Sequence, residues 1–224
     1  MAPAPTLILF DVNETLSDMS PMQERWQAVG APSHLASLWF ADVLRDGFAL
    51  AAAGRAERFT TLAEQAARRL LRSVGVRDAD AAVAQIMAGF GDLQVHPDVP
   101  DGVRALGDLG IRLATLSNGA AAVADELLTR AGLRDAFEQV LSVEGATRWK
   151  PTTEAYLWAL ERCGVPPDRT MLVAVHPWDI EGAARSGLRT AWVTRSGEEF
   201  SEVFTAPEIT ASSLVDLAQK LALG

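Results

Sequence analysis

One cysteine in 224 residues leaves no room for a disulfide framework or for a zinc site built on thiolates. Basic residues are outnumbered too. The formal net charge of −9 gives neither nucleic acid nor an anionic membrane an electrostatic footprint. No apolar run is long enough to span a bilayer, and residues 1–10 carry no basic segment ahead of a long apolar one. The chain therefore reads as cytoplasmic. Lysine is scarcer than any charge rule requires: Lys150 and Lys220 are the only two, against a background of arginine. That scarcity makes Lys150 conspicuous. There is no internal repeat and no low-complexity tract beyond a richness in alanine.

What is present is ordinary for a soluble globular protein: 49% hydrophobic and 22% charged residues, in a length that suits one sizeable domain with an insert. The run Thr6-Leu7-Ile8-Leu9-Phe10 is wholly apolar, as a strand buried on both faces would be, and it stops at Asp11. Ligands of open α/β sheets bind just beyond the carboxyl ends of strands, so Asp11 is either a nucleophile or ligand there, or a plain strand terminator. Residues 17–95 then read as helix throughout. Segments at Pro21–Val29, Pro32–Leu50, Phe59–Val74 and Ala79–Ala88 carry apolar residues at helical spacing, with Gly30 and Gly75 as stops.

From His96 onward the alternation of βαβ units begins. Strands are expected at Ile111–Leu116, Gln139–Ser142, Thr170–Val175 and Thr190–Val193, and helices at Gly102–Leu109, Ala121–Ala131, Thr153–Cys163, Ile180–Ser186 and Leu214–Leu221. The expected fold is a Rossmann-like parallel α/β core, residues 1–16 and 96–224, with residues 17–95 inserted after the first strand as a helical domain.

Right-handed crossovers bring the ends of parallel strands to one edge. Asp11 and Asn13, Ser117 and Asn118, the loop of Lys150, and His176 with Asp179 should therefore converge. Singly, each has a plainer reading: Ser117-Asn118-Gly119 makes a good turn and cap, Asp179 a good N-cap for a helix from Ile180, and Lys150 a solvated loop residue.

The ordered motifs Phe10-Asp11-x-Asn13-x-Thr15-Leu16, Leu116-Ser117-Asn118-Gly119, Lys150-Pro151 and Trp178-Asp179-Ile180-x-Gly182-Ala183 resemble those of the haloacid dehalogenase (HAD-like) hydrolase superfamily. The resemblance spans the whole chain and implies a cap domain at the helical insert. It implies Asp11 as nucleophile, Ser117 and Asn118 as holders of an anionic substrate group, and Lys150 as the residue that steadies the nucleophile. Phosphatases of the superfamily have a proton-donating Asp where Asn13 stands, and an amide cannot act as that acid. The first acid of their metal motif falls at Val175, where no hard cation finds a ligand.

Trp178-Asp179 and Lys150-Pro151 look like the 2-haloacid dehalogenase branch, whose leaving halide needs neither proton nor metal. The resemblance then implies attack by Asp11 on the halogen-bearing carbon, an aspartyl ester, and its hydrolysis to a 2-hydroxy acid, with Asp179 or His176 taking the proton from water. No cofactor and no metal are expected. The expected partner is a short halogenated carboxylic acid, with a homodimer as the only protein assembly in view. That branch usually has Tyr at Asn13, a halide-binding Arg at Phe40, and Ser and Asn at Ala174 and His176. The halide cradle must therefore differ, and the N–H groups of His176 and Trp178 are candidate donors to it. Two alternatives stay open: another HAD-like hydrolase, such as a weak phosphatase, or a non-catalytic binder of small carboxylates.

Overall fold

The computed structural model describes residues 4–146 and 148–223. Its centre is β1 (Leu7–Phe10), fully buried, with side chains alternating between two apolar layers. Leu7 and Leu9 face the layer that holds Leu172, Ala174, Tyr156 and Ile180, whereas Ile8 and Phe10 face the one that holds Met171, Val173, Val103 and Leu217. Around β1 lie β2 (Arg112–Ser117), β3 (Gln139–Ser142), β4 (Thr170–Ala174), β5 (Arg189–Val193) and β6 (Ile209–Ala211), all parallel, in the order β3-β2-β1-β4-β5-β6. The strand order reverses between β1 and β4. That is the switch point where an open α/β sheet leaves a crevice, and Asp11 stands at its mouth.

Of the five helices between β1 and β2, the first four form a separate helical unit: α1 (Met22–Ala28), α2 (Leu35–Ala52), α3 (Phe59–Ser73) and α4 (Ala79–Gly91). They pack on one another, α2 on α3, α3 on α4, and α1 on both α2 and α4. Their shared core is aromatic, with Trp39 edge-on to Phe90 at 5.7 Å and Phe59 stacked on Phe90 at 5.4 Å. The chain enters and leaves this helical unit side by side. Asp18 N–H donates to Gln94 O at 2.8 Å, and His96 N–H to Leu16 O at 2.9 Å. The rest of the chain adds α5 (Val99–Asp108), α6 (Ala121–Arg130), α7 (Val143–Ala146), α8 (Thr153–Cys163), α9 (Pro177–Arg185) and α10 (Leu214–Leu223). Among the described residues no helix is long and apolar enough to cross a membrane.

The structure moves one helix start expected from the sequence and adds a strand that the sequence did not suggest. The helix after β4 starts at Pro177, not Ile180, because proline is pre-set for the first helical turn and its missing N–H is an orphan there anyway. Asp179 is thus inside the first turn rather than an N-cap, and its side chain is free for other partners. The strand β6 had no counterpart in the reading. As an edge strand of three residues it has no continuous apolar run to reveal it.

The junction between α8, α9 and the loop of Lys150 is tight. A Cβ on Gly182 of α9 would lie 2.6 Å from both Pro151 Cβ and the Tyr156 hydroxyl. Gly182→Ala should therefore push this loop aside and cost roughly 1–3 kcal/mol, the usual penalty of overpacking. Urea unfolding monitored by circular dichroism checks it; an unchanged midpoint would mean that the junction relaxes freely.

Candidate active site

Asp11 follows β1 directly, its N–H donating to Val173 O at 3.0 Å, so the sheet ladder itself fixes its position. Its Oδ1 accepts from Lys150 Nζ at 2.9 Å and its Oδ2 from the Thr15 hydroxyl at 2.7 Å. Thr15 is fixed in turn, since its Oγ1 accepts from Val175 N–H at 3.1 Å. Lys150 Nζ also donates to Asp179 Oδ2 at 2.6 Å, and the Tyr156 hydroxyl donates to Asp179 Oδ1 at 2.5 Å. Lys150 and Asp179 are fully buried and Asp11 nearly so. One ammonium is thus shared by two buried carboxylates.

Burial and shared charge push these groups in different directions. Burial would raise the Asp11 carboxyl, but the Lys150 ammonium, His176 and the Thr15 hydroxyl together hold it below the usual carboxylate range. Burial, reinforced by the charge of Asp11, leaves Asp179 above that range despite Lys150 and Tyr156. Burial acts against the Lys150 ammonium, yet two carboxylates more than offset it and its pKa rises. Burial and the neighbouring Asp179 push the Tyr156 phenol well up. Asp11 is therefore held as a carboxylate, and Tyr156 is a permanent hydrogen-bond donor.

The other residues singled out from the sequence gather on the same edge, in distinct positions. Asn118 is engaged with the peptide of Lys150 in both directions: Lys150 N–H donates to its Oδ1 at 2.9 Å and its Nδ2 donates to Lys150 O at 3.3 Å. Its amide thus positions the lysine loop. Ser117 Oγ accepts from Gly119 N–H at 2.9 Å, which leaves its own hydroxyl proton for another acceptor. Gly119 packs closely against this hydroxyl and Asn13, since a Cβ there would sit 3.3 Å from Ser117 Oγ and 3.6 Å from Asn13 Nδ2.

His176 Nε2 lies 3.2 Å from Asn13 O, 3.6 Å from Glu14 Oε2 and 3.7 Å from Asp11 Oδ2. Its ring is stacked on Trp178 at 5.0 Å and lies 6.2 Å from Phe40. Trp178 also faces Phe48 at 5.0 Å and Lys150 Nζ at 5.7 Å. Aromatic residues of α2 thus close over the sheet edge.

Three contributors escaped the sequence reading. Thr15 lay within a quoted motif without an assigned part. Tyr156 is the sole tyrosine of the chain, a rarity as telling as that of lysine. Glu14 gave no signal, because its left-handed backbone is not visible in its identity. A cavity of about 480 Å³ opens on the far side of His176 and Glu14 from Asp11, with Phe40, Met19, Trp192 and His96 among its walls. His176 and Glu14 line it, whereas Asp11 and Lys150 do not. His176 therefore stands between the carboxylate and the open space.

The donor set does not suit a hard divalent cation. The two buried carboxylates are both committed to Lys150, His176 is directed at the Asn13 carbonyl, and Val175 offers no oxygen on its side chain. Among the described residues no group of three or more His, Cys, Asp or Glu is placed to hold a metal.

A parallel sheet with this strand order, helices inserted after the first strand and an Asp–Lys–Asp cluster at the switch point define a hydrolase built around a carboxylate. A family model described as haloacid dehalogenase-like hydrolase matches residues 5–187, and the chain belongs to that family. It is 30% identical over 210 residues to an (S)-2-haloacid dehalogenase of Pseudomonas sp. (strain YL), which covers 92% of this chain and 90% of that one. It is 26% identical to haloacetate dehalogenase H-2 of Moraxella sp. (strain B), covering 91% and 92%. Among solved structures, a dehalogenase with an intermediate complex superposes with a TM-score of 0.92 at 25% identity, over 99% of both chains.

Replacing Lys150 strands two buried carboxylates, so Lys150→Met should cost about 3–5 kcal/mol near neutral pH. The pH dependence has a definite sign. The folded pKa of Asp11 is depressed, so its pairing stabilises above its unfolded pKa of about 4 and is lost as the pH falls through the folded value. The deficit of Lys150→Met should therefore shrink on acidification. Urea titrations of both proteins across that range would check this, and a deficit that grew towards acid would contradict the charge assignment.

Proposed function

We propose that this protein is a hydrolytic dehalogenase of short 2-haloalkanoic acids that works through an ester on Asp11. The observation that carries the reading is the buried carboxylate of Asp11, kept ionised by Lys150, beside an amide at Asn13 where phosphate chemistry would need an acid. The names of the relatives support the substrate class.

In the first step an oxygen of Asp11 attacks C2, a C–O bond forms, and the C–halogen electron pair leaves with the halide. No proton is required. Ser117 is assigned to the substrate carboxylate, with the amide of Asn13 alongside. In the second step water adds to the carbonyl carbon of the ester. His176 takes its proton, because the ring lies beside the Asp11 carboxyl and faces the cavity; with Nε2 donating to Asn13 O the accepting nitrogen is Nδ1, and Glu14 balances the imidazolium that results. Collapse of the tetrahedral adduct expels the 2-hydroxy acid alkoxide, which recovers that proton from His176. Asp11 then releases its own proton, and the net products are hydroxy acid, halide and one proton.

Asp179 is assigned to hold Lys150, since both of its oxygens are occupied. Phe40 replaces a cationic halide receptor with an apolar wall, and since the His176 N–H is taken up by Asn13 O, halide release is served by the indole N–H of Trp178. In this reading residues 17–95 are the cap domain and 1–16 with 96–224 the core. The protein works in the cytoplasm without cofactor or metal, and self-association as a homodimer is checked by sedimentation.

Mass spectrometry tests the chemistry. Incubated with bromoacetate or 2-chloropropionate in EDTA, the protein should carry a transient adduct on the Asp11 peptide, absent in Asp11→Asn. His176→Ala should release a burst of about one equivalent of halide and then stall as the ester, with turnover reduced at least ~100-fold, the size usual for a lost general base. Halide release without an adduct, or phosphate release strictly dependent on Mg²⁺, would overturn the reading. Ligand binding without turnover, unaffected by Asp11→Asn, would point instead to a binder of small carboxylates.

A further inference from the structure

Among the described residues Glu14 is the only one other than glycine with positive φ, at +62°. Side chains rarely adopt this region, because it drives Cβ towards the following carbonyl, so the surroundings must hold it there. The two carbonyls that flank the turn are each gripped by a side chain from far along the sequence. Glu14 O lies 3.0 Å from His96 Nε2, and Thr15 O accepts from Arg195 Nη2 at 2.5 Å. Glu14 N–H donates to Ser17 Oγ at 3.3 Å.

Both grips are themselves anchored. His96 N–H donates to Leu16 O at 2.9 Å, where the chain returns from the inserted helices. Arg195 Nη1 donates to Asp98 Oδ1 at 2.6 Å, and Asp98 Oδ2 accepts from Leu214 N–H at 2.8 Å at the start of α10. A carbonyl can only accept, so the His96 ring carries its hydrogen on Nε2. Partial burial and the nearby Arg195 cation hold its pKa below the ordinary histidine value, which keeps the ring neutral.

We infer that His96 and Arg195 are positioning residues that hold Glu14 in its left-handed turn, so that its carboxylate faces His176. The inference rests on the reading above, in which His176 takes the proton of the hydrolytic water and Glu14 balances its charge. No hydrogen bond among the described residues joins His96 or Arg195 to Asp11 or His176. Their effect must therefore pass through Glu14 and fall on ester hydrolysis, sparing the alkylation that precedes it.

Rapid-quench mass spectrometry separates these two steps in His96→Leu, His96→Gln, Glu14→Gln and the double variant His96→Leu/Glu14→Gln. His96→Leu should slow ester hydrolysis about tenfold and change alkylation less than about twofold, the loss expected for one hydrogen bond. His96→Gln, which returns an N–H donor, should restore most of the rate. In the Glu14→Gln background His96→Leu should add nothing further, as for residues acting on one element. Equal slowing of both steps, additive losses, or an unaffected His96→Leu beside a slow Glu14→Gln would overturn the positioning role alone. Unchanged hydrolysis in Glu14→Gln would overturn the part given to Glu14 and the inference with it.

Discussion

The ammonium of Lys150, fully buried between Asp11 and Asp179, is the interaction on which the rest of the site depends. A buried charge is tolerated only when paired and hydrogen-bonded, and here one cation serves two anions. The remaining demand is met by neutral donors, Thr15 on Asp11 and Tyr156 on Asp179. These five residues come from the end of β1, the loop before α8, α8 itself and α9. A displacement of any of these elements would leave a charge without its partner, so the electrostatics of the site and the packing of the core are one constraint.

The same lysine ties the sheet to the inserted helices. Its neighbour Trp149 packs against Gly47 of α2, donates its indole N–H to Glu57 O at 2.8 Å, and stacks on Phe59 at 6.1 Å. Arg148 donates to Gly54 O at 2.6 Å. On the opposite side Phe40 and Phe48 of α2 reach His176 and Trp178. The helical unit thus grips the loop that carries the ammonium and shields the groups that face the cavity. In this way a pocket chemistry that depends on excluding bulk water acquires its walls.

Much of this was legible in the sequence for specific reasons. The strand β1 announces itself because burial on both faces demands an unbroken apolar run, and Asp11 is legible because it breaks that run. Lys150 stands out by rarity. Partnerships were harder to read. Asn118 appeared as a substrate ligand, whereas its amide is closed on the peptide of Lys150, a contact between segments 32 residues apart that no local pattern encodes. The plainer reading of Asp179, as a helix cap, fails because the sequence does not reveal how far Pro177 extends α9 towards its N-terminus. Glu14 was silent, since a left-handed backbone at a residue other than glycine is imposed by tertiary contacts. Charge-bearing residues at strand ends could be listed from sequence; which oxygen meets which nitrogen could not.

The hydroxyl of Tyr156 has one more consequence. As the only tyrosine in the chain, and bonded directly to the carboxylate that shares the ammonium with Asp11, it is a spectroscopic label already in place. Isotope or fluorine labelling of tyrosine would give a single resonance, with no assignment problem, from the middle of the ion cluster. Under the proposed chemistry, an ester on Asp11 would remove its negative charge and leave Lys150 with Asp179 alone, and the polarisation of the Tyr156 O–H would change with it. The chain therefore reports its own chemical state from a residue that takes no part in bond making.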